Sequence, residues 1–180
     1  MTGKVFSINI GKEKGKPKEM VKSAVFKVGY GIEGDAHAGS AESAGGAVGY
    51  GSAAAGGAGS GSRQVSLLSI EEIEKVEMAG SASRDIDFRP GIFAENITTE
   101  GIDLSKLKIG ARLQVGESVV LKVTQIGKEC HSACDIMQHV GSCIMPKQGV
   151  FASVEKGGVV SLHDRITLSR QKVLFSWLKT

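Results

Sequence analysis

The chain has 180 residues, of which 41% are hydrophobic and 23% charged, and a formal net charge of +3. A chain of this size can bury a core without staples, which favours one domain over residues 1–180. The small net charge argues against a nucleic-acid partner, and no stretch approaches the roughly 18 apolar residues of a membrane span.

Lys4 to Ile10 reads as a strand. This amino-terminal apolar run is too short for a signal peptide, since Gly11 and Lys12 cut it off. Lys12-Glu-Lys14-Gly-Lys16-Pro17-Lys18 follows and reads as a solvated surface loop. A second strand is expected from Ser23 to Val28. Gly29-Tyr-Gly31-Ile-Glu-Gly34 has the spacing of a dinucleotide-binding loop, but no helix follows it, so these glycines are read as a turn.

Residues 39–62 are almost wholly Gly, Ala and Ser. Such a tract has little apolar area to offset an ordering cost of roughly 1–2 kcal/mol per residue. It is expected to be a flexible insertion. Asp35 and His37 stand at its entrance and Arg63 and Gln64 at its exit, which leaves a lid as the alternative.

Val65 to Leu68 is a short apolar run. Ser69 and Glu72 then form a capping box for a helix whose apolar face is Ile70, Ile73 and Val76, with Gly80 as its stop. Further strands are expected at Ile92–Thr98, Arg112–Val115, Val119–Ile126, Val150–Val154, Val159–Leu162 and Arg165–Leu168. A hairpin turn joins Val115 to Val119, and a short helix is expected from about Cys134 to Val140. His163-Asp164-Arg165 reads as a turn with a local ion pair. The last ten residues carry Val173, Leu174, Phe175, Trp177 and Leu178, and fit a strand or a helix packed on the rest. Many short strands with a few short helices predict a mainly β fold, a closed or nearly closed β-barrel.

The chemistry gathers in one place. Cys130, Cys134 and Cys143 are the only cysteines, and together with His131 and His139 they fall within 14 residues. An odd, clustered set of thiols fits a reducing, cytoplasmic location better than a disulfide framework. Three readings compete. A zinc ion held by the thiols and a histidine would stabilise a non-catalytic binding module, although C-x3-C with a lone third cysteine is not a usual zinc spacing. The thiols could equally be small core residues. In the third reading, one is a reactive thiolate or soft-metal ligand, its pKa lowered by His131, Lys128 or a helix amino end. A second polar group, Asn96-Ile-Thr98, either grips an anion or heterocycle or satisfies backbone groups at a strand end.

Taken in order, several pieces resemble the MOSC domain, named for the carboxy-terminal domain of molybdenum-cofactor sulfurases. They are Gly31-Ile-Glu-Gly34-Asp35-Ala-His37-Ala-Gly39, Arg63-Gln-Val-Ser-Leu-Leu68, Pro90-Gly-Ile-Phe-Ala-Glu95-Asn96-Ile-Thr-Thr-Glu-Gly101, Ile109-Gly-Ala-Arg-Leu113, and Glu129 to Cys134 with Met145 to Ala152. The resemblance implies a β-barrel that binds the molybdenum cofactor (molybdopterin), carries sulfur on a cysteine, or does both. It implies Cys134 as the functional thiol and molybdenum ligand, with Cys130 and Cys143 as the other candidates. Arg63, Asn96, Thr98 and His131 become the expected cofactor contacts. An alternative implied activity is a molybdenum-dependent reductase of N-hydroxylated compounds. The expected partner is a cofactor-biosynthesis or sulfur-donor protein, or an electron-transfer protein; pyridoxal phosphate would enter only through such a partner. The family is expected to link Asp35-Ala-His37 to Arg63 by a short polar segment, and here the Gly/Ala/Ser tract stands between them.

Overall fold

The computed structural model describes residues 1–39, 63–79, 86–129 and 135–169. Eleven strands and three α-helices lie in these segments: β1 (Thr2–Ile10), β2 (Glu19–Val21), β3 (Ser23–Lys27), β4 (Gly31–Ile32), β5 (Val65–Ser69), α1 (Ile70–Met78), β6 (Ile97–Glu100), β7 (Arg112–Val115), β8 (Val119–Ile126), α2 (Asp135–Val140), α3 (Met145–Gln148), β9 (Val150–Lys156), β10 (Gly158–Ser161) and β11 (Arg165–Ser169).

Seven of the strands form a closed barrel in the order β11-β7-β8-β9-β5-β6-β1, with β1 returning to β11. Closure runs through Thr2↔Thr167, Gly3↔Ile166 and Lys4↔Arg165. A closed barrel leaves no sheet edge open to pairing with another chain. The long β1 serves two more neighbours: Lys4 to Ile8 pair with β6, and Ile8 to Ile10 pair with β2. β3 continues β2 into a small sheet of order β10-β3-β4.

Alternation explains most of these strands. In β8, Val119, Leu121 and Val123 are buried while Val120, Lys122 and Thr124 are less so, as period-2 patterning requires. The barrel interior is filled by such residues, among them Val5, Ile8, Leu67, Ile97, Leu113, Leu121 and Ile166. β5 departs from the pattern because every one of its residues is buried. It makes the barrel's parallel pairing, with β6. Its outer face lies under a second apolar cluster, where Leu68 packs with Ile73 of α1, Phe93, Ile136 and Val140 of α2, and Met145 of α3. A strand covered on both faces has no solvent side to alternate toward.

The strand expected from Ile92 begins only at Ile97. Gly91 (φ 88°) and Ala94 (φ 61°) turn the chain instead. The Glu95 carboxylate accepts the Gly91 and Phe93 N–H groups, so these donors need no neighbouring strand, and Ile92 and Phe93 drop into the second cluster. The capping box forms as expected, with Ser69 Oγ accepting the Glu72 N–H at 3.3 Å. The Gly29–Gly34 stretch makes turns around β4, as expected. At His163 (φ 69°) the chain also turns, but the Asp164 carboxylate accepts the Ser161 N–H at 2.8 Å and forms no ion pair with Arg165. The Gly/Ala/Ser tract from residue 40, Gly80 and the segment from Gln171 lie outside the described residues.

Candidate functional site

Lys18 overturns the reading of a wholly solvated lysine loop. Lys12, Lys14 and Lys16 are exposed, but Lys18 is fully buried. The loop folds back onto the 89–94 turn: Lys18 N–H donates to Gly91 O, and Arg89 Nη1 donates to Lys18 O. Gly91 is needed here, because a Cβ at that position would collide with the Lys18 carbonyl oxygen.

The buried ammonium is paired. Lys18 Nζ lies 2.8 Å from Asp35 Oδ2, and neither side chain is exposed. The same oxygen accepts the Gly11 N–H, while Oδ1 accepts the His37 N–H and lies 3.2 Å from His37 Nδ1. Burial alone would push the Asp35 carboxyl up; the His37 hydrogen bond and the Lys18 charge outweigh it and hold the group well below the usual carboxylate range. Burial likewise pushes the Lys18 ammonium down, against the attraction of Asp35 and Glu95. Burial pushes Glu95 up, opposed by its hydrogen bonds from Gly91, Thr98 and Phe93.

Asn96 and Thr98 belong to the same buried polar layer. Asn96 Oδ1 accepts from Ser66 N–H and Oγ, and its Nδ2 donates to Asn9 O. Thr98 Oγ1 donates to Glu95 at 2.8 Å and accepts from Asn9 Nδ2. Neither side chain is more than 1% exposed. These atoms are thus engaged inside the protein, Asn96 with the backbone of Ser66 and Asn9 and with Ser66 Oγ, Thr98 with the Glu95 and Asn9 side chains. Arg63 sits elsewhere, half-buried at the start of β5, with its guanidinium 6.0 Å from the Phe151 ring centroid. Cys143 is partly buried beside the second cluster. Cys130, His131 and Cys134 lie outside the described residues.

A surface cleft of about 430 Å³ opens above this layer's lysine loop, lined by Lys16, Pro17, Asp135 and Gln138. Its two walls are the loop that ends in Lys18 and the first turn of α2. The Glu13 carboxylate, and to a smaller extent Asp135, hold the Lys16 ammonium above its ordinary value. In sequence, Asp135 directly follows Cys134. A second cavity of about 460 Å³ lies at the amino end of α1, among Glu71, Glu72 and Asp103. Its carboxylates suit an anionic ligand poorly. Among the described residues no group of three or more His, Cys, Asp or Glu is arranged to hold a metal ion.

A model of the MOSC domain matches residues 35–167. The chain belongs to the MOSC domain family. Solved structures share the fold: the YUAD protein of Bacillus subtilis aligns with a TM-score of 0.67 at 22% identity, over 92% of this chain and 94% of that one. YiiM from Escherichia coli aligns at 0.63 and 18% identity over 95% of this chain and 71% of its own. YiiM from Geobacillus stearothermophilus gives the same score and identity, over 95% and 77%. No curated protein matches the chain. The match begins at Asp35, so the carboxylate that holds Lys18 lies within the MOSC unit. Sequence reading missed Lys18 and Asp35 as partners and Glu95 as the organiser of the 91–95 turn. The signal available for Lys18 was Pro17 before it and a strand after it, which favour an ordered loop end over a solvated one.

Proposed function

We propose that this MOSC protein acts in molybdenum-cofactor metabolism, binding the pterin cofactor or carrying sulfur on Cys134. The observation that carries the reading is the cleft between Lys16–Pro17 and α2, whose α2 wall begins one residue after Cys134. Its volume lies in the range of small-molecule sites. Asp135 offers an acceptor for the ring amines of a pterin, and a phosphate on it would compete with Glu13, 2.6 Å from Lys16 Nζ, for the ammonium. When bound, the cofactor would supply molybdenum for oxygen-atom or sulfur chemistry. Lys18 and Asp35 fix the loop that carries Lys16. Thr98 holds the Glu95 carboxylate that organises the 91–95 turn, and Asn96 ties the start of β6 to Ser66 and Asn9. His131 stands as a further contact by family resemblance, whereas Arg63, against the Phe151 ring, does not line this cleft.

As a sulfur carrier, the Cys134 thiolate would attack the terminal sulfur of a donor persulfide, taking that sulfur and releasing the donor's thiolate. Attack by the Cys130 thiolate on the Cys134 sulfur would then release hydrosulfide and leave a Cys130–Cys134 disulfide. Cys143 is the alternative resolving thiol.

Elemental analysis for molybdenum and zinc, with a persulfide assay on the purified protein, tests the proposal. Bound molybdenum or a protein persulfide, lost in Cys134→Ser, is the expected result. A Cys134→Ser protein with unchanged cofactor binding and sulfur loading would overturn the role of Cys134. Stoichiometric zinc whose chelation unfolds the chain would select the structural-module alternative. Turnover of an N-hydroxylated compound that needs an added electron donor would select the reductase.

A further inference from the structure

The loop between Gly11 and Lys18 is held more firmly than its composition requires. From Gly11 to Pro17 it has three lysines, one glutamate and no large apolar side chain. A loop of that kind is ordinarily among the least stable parts of a fold. Here it is fastened at both ends. Gly11 N–H donates to Asp35 Oδ2 at 3.2 Å, and Gly11 O accepts the Ala36 N–H at 2.8 Å. At the other end Lys18 N–H donates to Gly91 O, and Lys18 Nζ meets the same Asp35 oxygen. A buried ion pair adds little stability over an apolar pair of similar shape, so its contribution here is to fix position.

What it positions is a pair of cations. Lys12 and Lys14 are exposed, and neither side chain makes an ion pair or hydrogen bond among the described residues. Lys16 differs, being tied to Glu13 and lining the cleft, which Lys12 and Lys14 do not. The two therefore stand on the rim, in the same fastened loop as the cleft wall. Their surroundings narrow the partner. A nucleic acid would meet the exposed carboxylates of Glu13, Glu19 and Asp87, the last two gathered by Arg89 at the foot of the loop. A membrane would find no large apolar side chain to take up. An acidic protein face can set its carboxylates against Lys12 and Lys14 alone.

We infer that Lys12 and Lys14 form a docking rim for an acidic patch on the partner protein that works at this cleft, which rests on the cleft being the working site. Rim charges of this kind govern the rate of encounter and the salt dependence of binding more than the final affinity. Asp35 then serves the partner as well as the loop, because it holds the end from which Lys12 projects.

The test uses the full chain and two fluorescent cysteine peptides, one flanked by glutamates and one by glutamines. Anisotropy should show the glutamate peptide binding about fivefold tighter at low salt, within the reach of two exposed ion pairs. That preference should vanish near about 1 M salt, where the screening length falls to about 3 Å. Lys12→Gln with Lys14→Gln should abolish it. Lys106→Gln with Lys108→Gln, an exposed lysine pair of the same spacing, should leave it intact. Equal binding of the two peptides, or none, would overturn the inference, as would equal loss in the two variants. So would tighter binding of duplex DNA or of phosphatidylglycerol vesicles than of the glutamate peptide. Carried as persulfides, the same peptides test sulfur loading separately. A chain that prefers the glutamate peptide but takes no sulfur from it keeps the rim and loses the sulfur-carrier role.

Discussion

Asp35 binds four groups at once: the Lys18 ammonium, the Gly11 and His37 N–H groups, and the His37 ring. Removing its charge leaves a buried ammonium unpaired. Asp35→Asn should therefore cost about 3–5 kcal/mol in urea unfolding. Replacing both partners, as Lys18→Met with Asp35→Leu, should cost much less than the two single changes summed, because no buried charge is then left unpaired. The pH dependence has a definite sign. The folded carboxyl titrates below its unfolded value, so its stabilisation is complete above about pH 4 and is lost as the pH falls toward the folded value. Asp35→Asn should flatten that acid limb, measured as unfolding free energy against pH. None of this pairing was legible in the sequence. Lys18 and Asp35 are 17 positions apart, and a lysine in a lysine-rich run carries no mark of burial.

Among the elements, α1 was the most legible. Its cap, its first-turn acids and its buried Ile70 and Ile73 are all local features. Ser69→Ala should cost about 1 kcal/mol by loss of the cap, seen as a lowered urea midpoint at unchanged slope. The stretch from Ile92 to Asn96 was the least legible. Its apolar, branched residues suit a strand, and only the reach of the Glu95 carboxylate to Gly91 N–H turns it into a compact bend. That bend holds the lysine loop through Gly91 O and Arg89, so an element misread as a strand proves to be the support of the candidate cleft.

At the scale of the whole molecule, stability depends on closure between β1 and β11. Ile166 is buried in the barrel interior and sits in that seam opposite Gly3. Ile166→Ala should cost about 2–5 kcal/mol in denaturant unfolding, and amide exchange should accelerate in both seam strands. The sequence by itself determined the mainly β character, most strand positions and the membership motifs, because alternation, capping and turn residues act over a few positions. Tertiary structure alone decided how the barrel closes, that Lys18 is buried against Asp35, and that Asn96 and Thr98 face inward to other side chains. Those outcomes depend on which distant groups compete for the same buried hydrogen bonds, and no local pattern encodes that competition.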